Sequence, residues 1–485
     1  MGSVTRRGVL GGLLAGAALP GWAEVIRPMP RPKLPDAAEV APVSDAAGLV
    51  AAAKLTGITG YMVAEVATGR VLEQVNADAP VPPASVAKTI TALFALERLG
   101  GSHRFTTRVM AVGRVEGRRL VGDLVLAGGG DPTLDSDKLG DLVAALAATG
   151  LREVTGRFLA YAGALPSFDR ITDEQPIQVG YDPGLSGLSL NFNRVNFEWT
   201  KGGASVQMNA RGERFVPQVK MARMAVAERS APLFSYQKAA GIEDWSVARG
   251  GLAKAGSRWL PVRQVAPYVA EVFQTLCAAQ GIVLPRAQVV QVLPTGAVVL
   301  VARQSEDLTT ILRQMLRFST NITAETVGLA ASGAGSLAGS AAAMGGWAQA
   351  RLGLQANFVD HSGLGSASRV TAGGMLRALL AGDRIAGLRG ILRNVGMRDQ
   401  NGKAVKGDST RVVGKSGTLN FVSGLVGFIE PVGGQDLCFA IFSADPARRE
   451  AVPMAEREEP AGEKAWVGRA HVLQARLIAR WAGMV

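Results

Sequence analysis

The chain has 485 residues, 48% of them apolar and 19% charged, with a formal net charge of +12. That length holds two or more domains with ample core, and that balance excludes a disordered polymer. The positive charge suits an anionic polymer such as a cell wall; no stretch pairs clustered Arg and Lys with stacking aromatics, so no nucleic-acid partner is expected.

The N-terminus carries Arg6-Arg7, then a small-apolar run to Ala18, then Gly21 and Ala23. A charged start, a short apolar centre and small residues at its end describe a signal peptide over residues 1–23, twin-arginine-like or general secretory in type. No later run approaches the ~20 apolar residues that span a bilayer. An exported, periplasmic protein with no transmembrane segment in its mature form is therefore expected. Residues 24–45, rich in Pro and Ala, read as an extended lead-in, and 58–75 as a hairpin turning near Thr68-Gly69.

Pro83-Ala84-Ser85-Val86-Ala87-Lys88 comes next and runs straight into Thr89–Leu99. Ile90, Leu93, Phe94 and Leu96 recur near helical spacing, and Gly100-Gly101 stops the run. Ser85 thus begins a mostly buried helix with Lys88 one turn on, on the same face. A serine hydroxyl needs a base to become a nucleophile, and a lysine kept neutral by burial and a nearby cation can be that base. Ser235-Tyr236-Gln237-Lys238 repeats the spacing, but Ala239-Ala240-Gly241 breaks the pattern at once, so it reads as a surface segment.

Beyond Gly101 the texture turns to short strands, including 109–113, 119–126 and the 206–224 region. Gly128-Gly129-Gly130-Asp131 lacks Rossmann spacing and a Walker lysine and reads as a turn before a helix at 137–149. Helical texture returns over 267–276 and 308–318. Ser319-Thr320-Asn321 then sits at a break, and 322–331 resumes the helix. A decoy, Ser189-Leu190-Asn191, lies inside the β-rich middle. Lys415-Ser416-Gly417-Thr418 leads into strands at 424–429 and 437–442 and a final helix at 467–482. Ser409 stands where a phosphate-binding loop ending at Lys415 would need glycine, which removes that rival. The charged, proline-containing segment 446–466 reads as a mobile loop. Cys277 and Cys438 lie in apolar patterns and read as buried free thiols. The three histidines are too widely spaced for a metal site, and no cofactor is expected.

Ser85-x-x-Lys88, Ser319-x-Asn321 and Lys415-Ser416-Gly417, in that order, resemble the signature of penicillin-binding proteins and serine β-lactamases. The long gap between the first two resembles the class C, low-molecular-weight D-alanyl-D-alanine carboxypeptidase/endopeptidases. Gly122–Leu134, Leu188–Asn193 and Asp360-His361-Ser362-Gly363-Leu364 are similar to that family too, so the likeness covers nearly the whole mature chain. The resemblance implies a mixed α/β (α+β) transpeptidase-like fold, an antiparallel sheet flanked by helices. It implies a catalytic domain split between 24–100 and 263–485, with β-rich accessory structure inserted over 101–262.

It further implies that Ser85 attacks the carbonyl between two D-alanines and Lys88 takes its proton. Ser319 and Lys415 would pass a proton to the leaving amine, and Asn321 would orient Lys88 and the substrate. The amides of Ser85 and Thr418 would form the oxyanion hole. Lys415, Ser416 and Thr418 would face the terminal carboxylate, with Gly417 and Ser416 small enough to let a substrate backbone lie close. Peptidoglycan peptides and β-lactam antibiotics are the implied partners; the oligomeric state is left open, a dimer included. Ser416 stands where threonine is commoner, and 446–466 is longer and more charged than the family pattern. A triad hydrolase is disfavoured by scarce histidine and the lack of Gly-x-Ser-x-Gly. A β-lactamase would share all three motifs but needs a deacylating water and its base. A catalytically silent wall-binding scaffold would tolerate losing residues that are all present here.

Overall fold

The computed structural model describes residues 45–484 apart from 240, 400–402, 404 and 406–408. The proposed signal peptide and nearly all of the 24–45 lead-in lie outside the described residues.

Six strands form one antiparallel sheet, in the order Arg393–Asn394, Arg411–Leu419, Val422–Glu430, Leu437–Ala444, Ile58–Glu65, Val71–Val75. The three central strands are buried on both faces, and their sequences accordingly read as near-continuous apolar runs rather than alternating ones. One face packs against the helices Lys88–Leu99, Leu308–Phe318, Asn321–Ser332, Leu337–Leu352 and Ala372–Ala386, through Ile90, Phe94, Leu312, Met344, Leu379, Phe428 and Phe442. The other face is covered by the C-terminal helix Glu463–Ala482 and the short helix Ala46–Ala52, with Trp481 lying against Tyr61 and Phe439. This is the flanked antiparallel sheet expected from the sequence.

A second core lies wholly within the segment inserted after the first of these helices. A mixed sheet runs Ala287–Val290, Phe158–Tyr161, Arg119–Ala127, Thr106–Glu116, Val298–Gln304, and two three-stranded sheets complete the region. Outgoing and returning chain are stapled together where the insertion begins. Ser305 N donates to Phe105 O at 2.8 Å, Leu308 N to His103 O at 2.9 Å and Thr309 N to Gly101 O at 3.1 Å.

The return point at 263 expected from the sequence is therefore moved to about Ser305. Helix Val265–Ala279 buries Tyr268, Val272, Phe273 and Leu276 in the second core, where Phe273 stacks on Phe158. Its apolar periodicity shows that it covers something; which sheet it covers depends on strand pairing that no local pattern encodes.

Segment 446–466 also departs from the mobile loop expected of it. Pro446–Glu450 is a helix capped by Asp445, Met454–Glu456 is a further turn, and Glu463 begins the last helix. Its charges are paired across the fold: Glu458 accepts from Gln178 Nε2 at 2.7 Å and from Arg258, and Arg457 Nη1 donates to Glu174 O at 2.8 Å. Charges that look solvated in sequence find partners hundreds of residues away.

Among the described residues, no single helix is long and apolar enough to cross a membrane.

Candidate active site

Two prolines set up the first turn. Pro83 has φ −73°, and Ala84 is held at φ +47°, a left-handed conformation that costs a non-glycine residue of order 1 kcal/mol and persists only where surroundings impose it. A 3₁₀ turn over Ala84–Ala87 then passes into helix Lys88–Leu99. From Val81 to Ala95 every residue is buried except Ser85, so the turn offers one side chain to solvent.

Lys88 is fully buried beneath it. Its Nζ lies 2.9 Å from Ser85 Oγ, 2.8 Å from Asn321 Oδ1 and 2.7 Å from the Ser362 carbonyl. Burial lowers its pKa to about 7, while the charges of Asp360 and Glu325 resist that fall. In the neutral amine, Asn321 Oδ1 and Ser362 O, which can only accept, take both N–H groups and leave the nitrogen lone pair for the Ser85 hydroxyl proton. The sequence reading named a nearby cation as a second neutralising cause; burial alone lowers the Lys88 pKa, and the neighbouring charges that act on it are carboxyls that oppose the fall.

The loop that supplies the Ser362 carbonyl is itself tightly held. Asp360 accepts from Gly363 N and Gly365 N at 2.6 Å, and Glu325 accepts from Ser362 N at 2.8 Å and His361 N at 3.1 Å. Both carboxyls are buried, which raises their pKa values, that of Glu325 to about 8. Gly363, at φ +74°, rests on the Ala84 carbonyl so closely that a Cβ there would lie 1.8 Å from it.

Helix Leu308–Phe318 ends at Ser319, which takes φ +61°, and Asn321 opens the next helix. That break turns both side chains inward. Lys415 Nζ, also buried, donates to Ser319 Oγ at 2.9 Å and to the Ser416 carbonyl. Asn321 Nδ2 donates to Tyr181 O at 2.9 Å, so the inserted region forms one wall of the site.

Lys415 to Thr418 lie on strand Arg411–Leu419, whose outer neighbour pairs only with Val413 and Gly414. Among the described residues, the strand beyond Gly414 has a partner on one side only, which leaves a backbone edge next to the Ser85 turn. A Cβ on Gly417 would sit 2.7 Å from Ser85 N and 2.9 Å from Pro83 O, so only glycine lets strand and nucleophile turn meet. Ser416 is half-buried and Thr418 exposed.

Ser85, Lys88 and Asn321, Ser319 with Lys415, and Gly417 against Ser85 are thus brought together, with Ser416 and Thr418 on the same strand as Lys415 and Gly417. The profile of the D-Ala-D-Ala carboxypeptidase 3 (S13) family matches residues 46–461, across both cores. The chain belongs to that family. It is a serine-type D-Ala-D-Ala carboxypeptidase, a class C low-molecular-weight penicillin-binding protein.

Its relatives agree with this. It is 28% identical over 427 residues to a D-alanyl-D-alanine carboxypeptidase of Actinomadura sp. (strain R39), covering 79% of this chain and 77% of that one. It is 27% identical over 285 residues to carboxypeptidase Rv3627c of Mycobacterium tuberculosis, covering 54% of this chain and 56% of the relative. The crystal structure of penicillin binding protein 4 from Haemophilus influenzae shares the fold, with a TM-score of 0.71 at 17% identity over 91% of this chain and 100% of that one.

The decoys lie elsewhere in this carboxypeptidase. Ser235 is on a strand, bonded to Ser246 Oγ at 2.7 Å, while Lys238 pairs with Asp169. Ser189 Oγ donates to Ser186 O, and Asn191 Oδ1 accepts from Ser136 N at 3.0 Å; both are internal braces. Asp131, after the glycine run, accepts from Thr133 N at 2.8 Å and closes a turn. Sequence reasoning missed Glu325, the Tyr181 carbonyl and Arg393, whose Nη2 donates to Ser416 Oγ at 3.0 Å. Glu325 had a signal of sorts, standing one helical turn after Asn321; Tyr181 and Arg393 had none.

Proposed function

We propose that this carboxypeptidase removes the terminal D-alanine from peptidoglycan stem peptides through an acyl-enzyme on Ser85. Ser85 Oγ attacks the carbonyl carbon of the penultimate D-alanine as its proton passes to neutral Lys88 Nζ, a transfer typically worth 10²–10⁴ in rate. The amides of Ser85 and Thr418 receive the developing oxyanion; losing one such donor typically costs about 3 kcal/mol. The C–N bond then breaks, with Ser319 and Lys415 delivering a proton to the departing amine, while Asn321 fixes Lys88. Water cleaves the ester, returning Ser85.

The observation that carries this reading is a fully buried Lys88 whose Nζ lies 2.9 Å from Ser85 Oγ, the one side chain of the turn that is not buried. β-Lactams would acylate the same serine. The H. influenzae relative has been crystallised in complex with a novel β-lactam, and its structure has a TM-score of 0.69 to this chain. A peptidoglycan substrate places the enzyme outside the cytoplasmic membrane, in keeping with the signal peptide read over residues 1–23.

Mass spectrometry with and without benzylpenicillin tests the mechanism. A stable adduct mapping to the Ser85 peptide, abolished in Ser85→Ala with its melting temperature kept, is the expected result. A Ser85→Ala protein that still labels would refute the assignment. Rapid release of hydrolysed drug would favour β-lactamase action, and neither adduct nor turnover would revive a silent scaffold.

A further inference from the structure

The Ser362 carbonyl that accepts from Lys88 belongs to a loop clasped between two helices. From helix Lys88–Leu99, Lys88 Nζ and Thr91 Oγ1 reach consecutive carbonyls, Ser362 O at 2.7 Å and His361 O at 2.6 Å. From helix Asn321–Ser332, fully buried Glu325 takes the N–H groups of the same two residues. One of its oxygens, Oε1, accepts from Ser362 N at 2.8 Å and from His361 N at 3.2 Å.

That second helix turns a single stripe to the loop. Asn321, Glu325 and Gly328 stand at i, i+4 and i+7 and so share a face. Asn321 Oδ1 meets Lys88 Nζ at 2.8 Å. Gly328 leaves room for the His361 ring, since a Cβ there would lie 2.2 Å from the ring's Cγ. Both acceptors of the Lys88 amine are therefore set by one helix, Asn321 directly and the Ser362 carbonyl by way of Glu325.

Peptide planarity carries the effect from one end of the loop to the other. In the unit joining His361 to Ser362, Thr91 fixes the carbonyl and Glu325 fixes the N–H. In the next unit, Asp360 accepts from Gly363 N at 2.6 Å and the carbonyl points at Lys88. With the first plane held, the second has little freedom to swing that carbonyl away.

We infer that Glu325 is a positioning residue for acylation: its Oε1 keeps the Ser362 carbonyl on one N–H of neutral Lys88, so that the lone pair is left for the Ser85 proton. This rests on the acyl-enzyme reading above and deepens it. What matters is the reach of an acceptor oxygen, and the carboxylate's charge is secondary.

Two conservative variants separate reach from charge. Glu325→Gln keeps the length and offers one oxygen to both N–H groups without a charge. Glu325→Asp keeps the charge and draws its oxygens back by one methylene. Acylation by benzylpenicillin is measured at pH 9, where Lys88 is neutral and a lost charge beside it alters nothing. Glu325→Gln should acylate at nearly the wild-type rate. Glu325→Asp should be about 100-fold slower, the scale of loss when a supporting group moves a reacting one by about 1 Å. If the aspartate variant does not fold, Glu325→Met, similar in length but without an acceptor, replaces it with the same expected loss.

An aspartate variant as fast as wild type would overturn the inference, because reach would not matter. A glutamine variant as slow as the aspartate one would overturn it too, leaving Glu325 a general brace of the fold. A slow glutamine beside a fast aspartate would assign the effect to charge, with the same consequence. Benzylpenicillin labelling of wild-type Ser85 is checked first. Its absence undermines the acyl-enzyme reading, whereas labelling whose rate ignores Glu325 removes this inference alone.

Discussion

Lys88 illustrates how a residue legible in sequence acquires chemistry that is not. Its spacing from Ser85 and its apolar surroundings predict a buried base. What sets its proton affinity is a balance between burial, which lowers the pKa to about 7, and the Asp360 and Glu325 charges, which raise it. Below that value the ammonium forms and the lone pair is lost. Acylation by benzylpenicillin should therefore rise about tenfold per pH unit below pH 7 and level off above it. A flat profile from pH 5 to 9 would show that Lys88 is not the proton acceptor. Removing the Asp360 charge should move the rising limb to lower pH, because that charge favours protonated Lys88.

The same residue has a structural duty one level up. Asp360 holds a loop by accepting two backbone N–H groups, and that loop carries the Ser362 carbonyl to Lys88 and seats Gly363 on Ala84. Asparagine has one acceptor oxygen and would turn an amide donor towards a donor. Asp360→Asn should cost about 2–3 kcal/mol in urea melts, the usual effect of leaving buried N–H groups unmet. Gly417→Ala should cost about 1–3 kcal/mol and slow acylation about 100-fold, since the added methyl would meet Ser85 N and Pro83 O and drive strand from nucleophile. Acylation unchanged in that variant would mean that the edge can move without consequence.

Elements announced by local pattern, such as the nucleophile helix, the Ser319 break and the strands at 424–429 and 437–442, form where the sequence indicates. Arg393 could not be read because its strand is two residues long and its partner Ser416 lies 23 positions away. The Tyr181 carbonyl is a backbone group with no side-chain signature at all.

At the scale of the molecule, the two misjudged regions share one cause. Helix Val265–Ala279 and segment 446–466 each look local but are defined by long-range partners. The latter bridges the inserted region to the catalytic sheet: Arg457 donates to Glu174 O, its own carbonyl accepts from Asn420 Nδ2 at 2.7 Å, and Glu458 meets Gln178 and Arg258. A bridge of this kind should resist protease in the native state. Trypsin under native conditions is expected to spare Arg448, Arg449 and Arg457 until global unfolding. Early cleavage there would return the segment to the mobile loop that its composition suggests.

Cys277 sits in the inserted core and Cys438 in the catalytic one; both are buried, and burial raises both thiol pKa values. Each core thus contains its own chemical clock, silent while folded and reactive once opened. Thiol modification across a urea series, read by peptide mass, reports the two cores separately without any engineered label. Two distinct midpoints would reveal an insertion that melts by itself, and a single shared midpoint would reveal that the staple at Phe105 and Ser305 makes the enzyme one cooperative unit.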